Sequence, residues 1–380
     1  KKILSLLLAG VMTVSMLAGC GSNTDATAQT EAKPAAQTEA KPAAQAEAKA
    51  AAPAPAAATE KAEETNNYAD TITLVWYPNE SADDFGASRD EVARLVEQAT
   101  GKKVEQKLTT DYAIAIEAIA SGAAQIGCVF GAEGYIQAEK SNAAVKPLFV
   151  HSGSSGTLSD AVYYAFFGVK EENAANYADG DGYAIDNVAG QKISFVSNSS
   201  TSGFKVPTND IITHFADQNL TVDDLMEGGS KAFFSEVLFG GSHQGSLYNL
   251  LTEKCDVAAF CDKEVVSYVE LFSGEDKTEG AVYAVKEGAD APFDTLAGTT
   301  YTVINSTPVM NGPFVYNSET LSPEDAAAIQ ELFTSEEVKN NPIMFYDADA
   351  QVKGLFKKSG DIQFLTVDAS WYDPIREMGK

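Results

Sequence analysis

The sequence has little of the chemistry that enzymes and metal proteins concentrate at their sites. It contains three histidines and four cysteines in 380 residues, and none of them recurs at the spacing of zinc ligands. Cys255 and Cys261 bracket a strand-like run that holds them about 20 Å apart, too far for a disulfide. No Gly-x-Ser-x-Gly turn of the hydrolase type is present. We therefore expect no metal, no cofactor, no disulfide framework and no catalysis.

Basic residues are also scarce. The chain has 27 Lys and Arg against 54 Asp and Glu, a net charge of −27. Residues 1–66 hold six of the cations and seven of the acids, which leaves residues 67–380 with a net charge of −26. A surface of this sign excludes nucleic acid and anionic lipid as partners. A small anionic ligand would have to be held by local donors.

Long apolar runs are missing after the N-terminal segment. Two lysines precede the apolar run 3–17, which has the length of a signal peptide and is short for a membrane helix. The run ends in Leu-Ala-Gly-Cys20, which resembles the lipobox of bacterial lipoproteins. The resemblance implies a signal peptide over residues 1–20, a lipid on Cys20 and an extracytoplasmic, membrane-anchored protein. An ordinary signal peptide is the alternative.

Residues 21–66 have the composition of a linker. The octet Thr-Glu-Ala-Lys-Pro-Ala-Ala-Gln fills positions 30–37, recurs at 38–45 and returns in degenerate form at 46–53. It contains no large apolar residue and cannot bury a core, so we predict a disordered Ala/Pro/Glu/Lys linker.

The remaining residues, 67–380, exceed what one core usually serves. Strand-like and helix-like segments alternate from Thr71 to Phe130 and again from Gln191, an order typical of parallel sheets with helical crossovers. We predict an α/β clam-shell of two lobes, each a mostly parallel sheet flanked by helices. Lobe 1 would comprise residues 67–165 and 305–380, and lobe 2 residues 166–304. Two crossovers, near Phe167 and Asn305, would form a hinge.

The segment Ser197-Asn-Ser-Ser-Thr-Ser-Gly203 follows a predicted strand and precedes a predicted helix. The first turn of a helix has unpaired N–H groups and a partial positive charge. Ser200, Thr201 and Ser202 add hydroxyl donors, and Gly203 permits close backbone approach. These groups can surround a tetrahedral oxyanion without a formal positive charge. The alternative is a Ser/Thr-rich cap that only begins a helix.

Three further residues have favourable positions. His243 ends the loop Gly240-Gly-Ser-His just before a predicted helix, where it could donate to an anion or merely cap the helix. Tyr77 and Tyr112 follow predicted strands, whose carboxyl ends face the cleft in this topology. Packing roles are the alternative for both tyrosines.

Together these segments resemble the phosphonate-, phosphite- and phosphate-binding proteins of ABC importers, a branch of the type 2 periplasmic-binding-protein fold. The resemblance covers about residues 70–335 and implies a cognate permease and ATPase and a monomeric protein. In chain order, the matching stretches are Asp111-Tyr-Ala with Gln125-Ile-Gly, Asn198-Ser-Ser-Thr-Ser-Gly-Phe-x-Val-Pro207, Gly241-Ser-His243 with Cys255-Asp-Val-Ala258, and Ser306-x-Pro-x3-Gly-Pro313.

The resemblance also implies which side chains hold the phosphoryl oxygens. A tyrosine near the first crossover is one of them, and either Tyr163 or Tyr164 matches it, since alternation places only one of the two in the cleft. The implied set is Ser200, Thr201, Ser202, Tyr112, Tyr163 and His243.

The sequence departs from family members that bind an aminoalkyl phosphonate. Lys263 occupies the position of one of their carboxylates and Gly312 the position of another. These departures favour phosphite, phosphate or a short alkyl phosphonate. Asp262, Glu80 and Glu133 stay open as partners of a ligand amine. The residues also leave open a sulfonate or sulfate ligand, a structural surface lipoprotein, or a hydrolase using His243.

Overall fold

The computed structural model describes residues 67–79, 85–348, 350 and 352–378. The predicted signal peptide, Cys20 and the predicted linker lie outside these residues. The strands are β1 (Thr71–Trp76), β2 (Lys103–Leu108), β3 (Ile126–Cys128), β4 (Val145–His151), β5 (Val162–Lys170), β6 (Ala178–Asp179), β7 (Gly182–Tyr183), β8 (Lys192–Phe195), β9 (Glu236–Phe239), β10 (Val257–Cys261), β11 (Val269–Ser273), β12 (Val282–Val285), β13 (Thr300–Met310), β14 (Phe314–Asn317), β15 (Phe345–Tyr346), β16 (Phe356–Lys357) and β17 (Phe364–Leu365). The α-helices are α1 (Gly86–Thr100), α2 (Tyr112–Ala120), α3 (Ala132–Ser141), α4 (Val206–His214), α5 (His243–Leu251), α6 (Asp262–Val265), α7 (Pro323–Phe333), α8 (Glu336–Lys339) and α9 (Asp373–Glu377).

The first sheet has the strand order β17-β4-β14-β3-β1-β2. Its strand β1, which lies between β3 and β2, is covered on both faces, because Ile72, Leu74 and Trp76 pack into one buried cluster and Val75 and Tyr77 into another. This burial explains the nearly continuous apolar run of β1. Strands β1, β2 and β3 are parallel and are connected by α1 and α2.

The second sheet has the strand order β11-β12-β13-β5-β10-β8-β9. Strand β8 is parallel to β9 and β10, and the other pairs are antiparallel. The predicted α/β fold with two sheets is confirmed, but the prediction of mostly parallel sheets is wrong. Strand β5 carries the chain into the second sheet and β13 carries it back, so these two long neighbours run in opposite directions.

The chain passes between the sheets at residues 152–161 and 311–313. Strands β5 and β13 pair from Val162 and Met310 to Lys170 and Tyr301, so both lie in the second sheet over their whole length. Residues 162–165 and 305–310, predicted for lobe 1, therefore pair in the second sheet, and the crossovers predicted near Phe167 and Asn305 are misplaced.

The polar stretch of β13 explains this error. Asn305 and Thr307 belong to a segment with the composition of a loop, yet their side chains donate to Asp210 Oδ2 at 3.1 and 2.6 Å. Asp210 thereby satisfies both groups within the sheet, and the strand continues.

The start of α1 differs from what the sequence predicts. The pattern Ser88-x-x-Glu91 predicts a cap at Ser88, but α1 begins at Gly86 and Ser88 is buried within its first turn. The predicted end is confirmed, because Gly101 adopts the left-handed conformation with φ 68°.

Cys128, Cys255 and Cys261 are free and buried. Among the described residues, no helix is long and apolar enough to cross a bilayer. Within the same part of the chain, no group of three or more His, Cys, Asp or Glu side chains is placed to hold a metal ion.

Candidate oxyanion site

The candidate residues follow the carboxyl ends of parallel strands in both sheets, where open α/β sheets bind ligands. In the first sheet, Tyr77 and Asn79 follow β1 and Tyr112 follows β2. In the second sheet, the Ser-Thr-Ser turn follows β8 and His243 follows β9. We call the following set the cradle: Tyr77, Asn79, Tyr112, Tyr163, Ser200, Thr201, Ser202 and His243.

Hydrogen bonds connect the two sets of strand ends. Thr201 Oγ1 accepts from the Glu133 N–H at the start of α3, at 2.9 Å. Asn79 Oδ1 accepts from the His243 N–H at 3.2 Å. Ser199 Oγ donates to Gln137 Oε1 at 2.8 Å. The cradle is therefore assembled from both sheets in this structure.

The Ser-Thr-Ser turn is buried and built around a helix start. Ser200 Oγ accepts from the Gly203 N–H at 3.1 Å, and a π-helical turn, Thr201–Lys205, leads into α4. Gly203 is required here, because a Cβ would lie 2.2 Å from Val196 Cγ2. The turn brings three hydroxyls and the N–H groups of a helix start to one place. All of these are neutral donors suited to an anion.

The choice between the two adjacent tyrosines is settled by their contacts. The Tyr163 hydroxyl is hydrogen-bonded to the Ser202 side chain, and burial raises the pKa of that hydroxyl, so it stays protonated. Tyr164 instead lies against Lys277, whose Nζ is 5.8 Å from the ring centroid. The structure thus places Tyr163, and not Tyr164, with the turn.

His243 is held as a neutral donor. The Cys261 N–H donates to His243 Nδ1 at 3.1 Å, so the ring proton resides on Nε2. Burial, followed by the nearby charge of Lys263, lowers the pKa of His243 to about 3. The imidazole can donate one hydrogen bond from Nε2 to an anion while carrying no charge.

Asn79 lies beside the tyrosines of the cradle. It was not predicted as a site residue from the sequence. Its Nδ2 donates to the Tyr112 hydroxyl at 2.6 Å. Tyr77 packs between Tyr112 and Phe130, with ring centroids 4.3 and 4.4 Å away. Its position could have identified it as a site residue, because Asn79 follows β1 by three residues at the same sheet edge as Tyr77.

The match to known proteins covers most of the folded chain. Residues 74–372 match the family of phosphonate-binding periplasmic substrate-binding proteins of ABC transporters. The chain belongs to this family. The resemblance inferred from the sequence is thereby confirmed, and the family is one of transporter substrate-binding proteins rather than enzymes.

Individual members of the phosphonate-binding family agree with this assignment. The chain is 27% identical over 245 residues to the phosphate-import protein PhnD of Mycolicibacterium smegmatis, covering 60% of this chain and 71% of that protein. The binding component of an ABC phosphonate transporter from Pseudomonas aeruginosa has a TM-score of 0.55 at 19% identity, covering 81% of this chain and 85% of that one. PhnD1 of Prochlorococcus marinus, in complex with methylphosphonate, has a TM-score of 0.58 at 13% identity, covering 82% and 97%. At these identities the two structures establish the shared fold.

Two of the three carboxylates considered for a ligand amine have other partners. Asp262 Oδ2 pairs with Lys277 Nζ at 2.8 Å, and Oδ1 accepts from the Tyr164 N–H at 2.9 Å. Glu133 Oε1 accepts from Gln137 Nε2 at 3.0 Å. Glu80 lies outside the described residues. Asp262 is therefore tied into the second sheet and is not bonded to the cradle.

Close packing explains why position 312 is a glycine in this chain. A Cβ at this position would lie 1.9 Å from the Phe130 carbonyl oxygen. No side chain fits there without backbone movement, so the carboxylate that the sequence resemblance implies for binders of an aminoalkyl phosphonate has no room here.

Because His243 is buried in its neutral form, the free energy of unfolding should fall as the pH is lowered. In the unfolded chain His243 takes up a proton near its ordinary pKa of 6.5, whereas the folded chain takes it up only near pH 3. Its contribution is therefore present above pH 6.5 and is lost as pH falls, by about 2 kcal/mol between pH 7.5 and 5. In His243→Gln, whose amide oxygen can still accept from Cys261, we expect that pH-dependent loss in the free energy of unfolding to be about 2 kcal/mol smaller.

Urea unfolding at pH 7.5 and 5 measures this difference. His214→Gln is the matched control, since the side chain of His214 is 38% exposed. An identical pH dependence in wild type and His243→Gln would contradict the burial of a neutral imidazole.

Proposed function

We propose that the cradle captures one small phosphorus oxyanion, namely phosphite, phosphate or a short alkyl phosphonate, for delivery to the ABC transporter. The observation that carries the proposal is that hydrogen bonds join neutral polar groups at the strand ends of both sheets, the Glu133 N–H to Thr201 Oγ1 and the His243 N–H to Asn79 Oδ1. A protein with net charge −27 repels anions at long range. Short-range donors therefore have to supply the binding energy.

The chemistry of the cradle suits a phosphorus ligand. Hydroxyls of Ser200, Thr201 and Ser202 both donate and accept, as do those of the tyrosines. Phosphite, phosphate and alkyl phosphonates retain an exchangeable proton near neutral pH, so they also do both. Each hydrogen bond to the anion contributes about 1.5–3 kcal/mol in such a desolvated site.

Capture would involve closure of the two lobes. In our proposal, lobe 1 contains the first sheet and lobe 2 the second, and residues 152–161 and 311–313 act as the hinge. The bonds from Thr201 to Glu133 and from Asn79 to His243 would form on closure and break on opening. Ligand binding would then bridge the same two surfaces.

The protein would be a monomer that is tethered through a lipid on Cys20 and a flexible linker over residues 21–66. The lipobox-like sequence and the family's periplasmic role support the tether. The tether would let the binding protein move between the membrane surface and its permease.

Calorimetry with a panel of small anions tests the ligand class. We expect phosphite, phosphate, methylphosphonate or ethylphosphonate to bind at least about 10-fold more tightly than sulfate or taurine, a difference of about 1.4 kcal/mol. The protein should first be unfolded, dialysed and refolded to remove carried-over ligand. If the refolded protein binds sulfur oxyanions as tightly, the phosphorus assignment fails. If it binds none of these anions, the Ser-Thr-Ser turn is only a helix cap.

A further inference from the structure

A cavity of about 720 Å³ adjoins the cradle. Tyr163 lies on its wall and also contacts Ser202, so the two spaces share that side chain. Another part of the wall comes from the C-terminal segment around Phe356. Phosphite or methylphosphonate would leave nearly all of this volume unused.

The sign of the charge around the cavity is opposite to that of the whole protein. Among the described residues that line it, six are lysines and four are acids. Two of the acids pair with two of the lysines, Asp262 with Lys277 and Glu264 with Lys263, so the lining keeps an excess of two positive charges. The lysines are Lys263, Lys277, Lys286, Lys353, Lys357 and Lys358. In a chain of net charge −27, this local excess of positive charge favours an anionic occupant.

Buried polar atoms on the cavity wall have no hydrogen-bond partner among the described residues. They are His151 Nε2, the Tyr301 hydroxyl and Asn311 Oδ1. Tyr301 and Asn311 are 0% and 1% exposed. Because leaving such groups unsatisfied costs about 1–3 kcal/mol each, they indicate that a polar occupant belongs in the cavity.

Lys263 lies where the cavity meets the cradle. Its Nζ is 4.8 Å from the Tyr163 ring centroid and 3.3 Å from Glu264 Oε1. Its charge also reaches His243 and His151, since it contributes to lowering the pKa of both. A substituent that leaves the cradle past Tyr163 therefore meets an ammonium group first.

We propose that the natural ligand is a phosphonate whose organic substituent enters this cavity and ends in a carboxylate that Lys263 binds. This inference rests on the proposed function and narrows its ligand to a substituted phosphonate, whose phosphonate group itself occupies the cradle. An ammonium-bearing substituent would instead be repelled by the excess of lysines that line the cavity.

Calorimetry on the purified full-length protein with three phosphonates tests the inference. The ligands are ethylphosphonate, 3-phosphonopropionate and 2-aminoethylphosphonate, which differ in the charge of the substituent. We expect 3-phosphonopropionate to bind at least about 10-fold more tightly than ethylphosphonate, the effect of one charge-assisted hydrogen bond. 2-Aminoethylphosphonate should bind more weakly than ethylphosphonate.

Lys263→Met keeps the length of the side chain and removes its charge. It should weaken 3-phosphonopropionate at least about 10-fold more than it weakens ethylphosphonate. Lys353→Met tests the wall around Phe356 in the same way, and Lys339→Met, outside the cavity, is the matched control. Equal losses for both ligands in Lys263→Met would place Lys263 in the cradle and overturn the inference.

The wild-type panel distinguishes failure of this inference from failure of the proposed function. If ethylphosphonate binds and the carboxylate gives no advantage, the inference about the substituent fails and the proposed function stands. If none of the three ligands binds, the proposed function itself fails.

Discussion

Thr201→Ala should lower the affinity for the preferred phosphorus oxyanion about 10- to 100-fold. Thr201 is buried, and its Oγ1 accepts from the Glu133 N–H at 2.9 Å, which leaves the hydroxyl proton to donate to the ligand. Alanine removes that donor, worth about 1.5–3 kcal/mol toward an anion. It also leaves Glu133 N–H without its acceptor from the other sheet.

Two other variants separate this effect from general damage. Thr201→Ser retains the hydroxyl and should bind within about threefold of wild type. Thr208→Ala removes a buried hydroxyl that donates to Phe204 O at 2.8 Å on the adjoining helix. It should leave the affinity within about twofold. Calorimetry gives the affinities, and thermal unfolding shows whether each variant is folded. Unchanged affinity in a folded Thr201→Ala protein would remove the turn from the binding site.

The local chemistry of the site could be predicted from the sequence because it depends on short-range order. A strand, a hydroxyl-rich turn and a helix start lie next to one another in the chain, and the turn around Ser200 has that arrangement in the structure. The contacts of Asp262 could not be predicted in this way. Its environment depends on Lys277 and the backbone of Tyr164, which are distant in sequence.

The parallel strand pairs could be predicted from the sequence, whereas the antiparallel pairs could not. Helical crossovers between β1, β2 and β3 follow from alternating segments of regular length, and those parallel pairs are present. The antiparallel pairing of β5 with β13 joins residues more than a hundred positions apart. No local pattern encodes such a pairing, and the polar residues of β13 suggested a loop because Asp210, their partner, is far away in sequence.

The positive cavity could not be foreseen from composition. A net charge of −27 describes the chain as a whole and predicts repulsion of anions. The fold gathers lysines from the segments around Lys263, Lys286 and Lys357 onto the walls of one cavity. The sign of the charge around a cavity therefore depends on the tertiary structure. At short range this local charge, not the net charge of the chain, acts on a ligand.

Gly131→Val should reduce ligand affinity about 5- to 150-fold with little loss of stability. Gly131 is the N-cap of α3 with φ −63°, a conformation that any residue adopts. A Cβ there would lie 2.8 Å from Thr201 Oγ1. The clash is between the two surfaces that we propose meet on closure, so opening would relieve it. Overpacking costs about 1–3 kcal/mol, which would destabilise the closed state and hence weaken binding.

Gly229→Val is the matched control, because a Cβ at Gly229 meets nothing within 4 Å. It should bind as wild type does. Small-angle scattering with saturating ligand adds a direct measure of closure, since the radius of gyration should fall on ligand addition for wild type and the control but not for Gly131→Val. If Gly131→Val unfolds at a much lower temperature and binding falls only in proportion, the contact is static packing. A Gly131→Val protein that binds and contracts normally would mean that the Thr201–Glu133 contact is not part of the ligand-bound state.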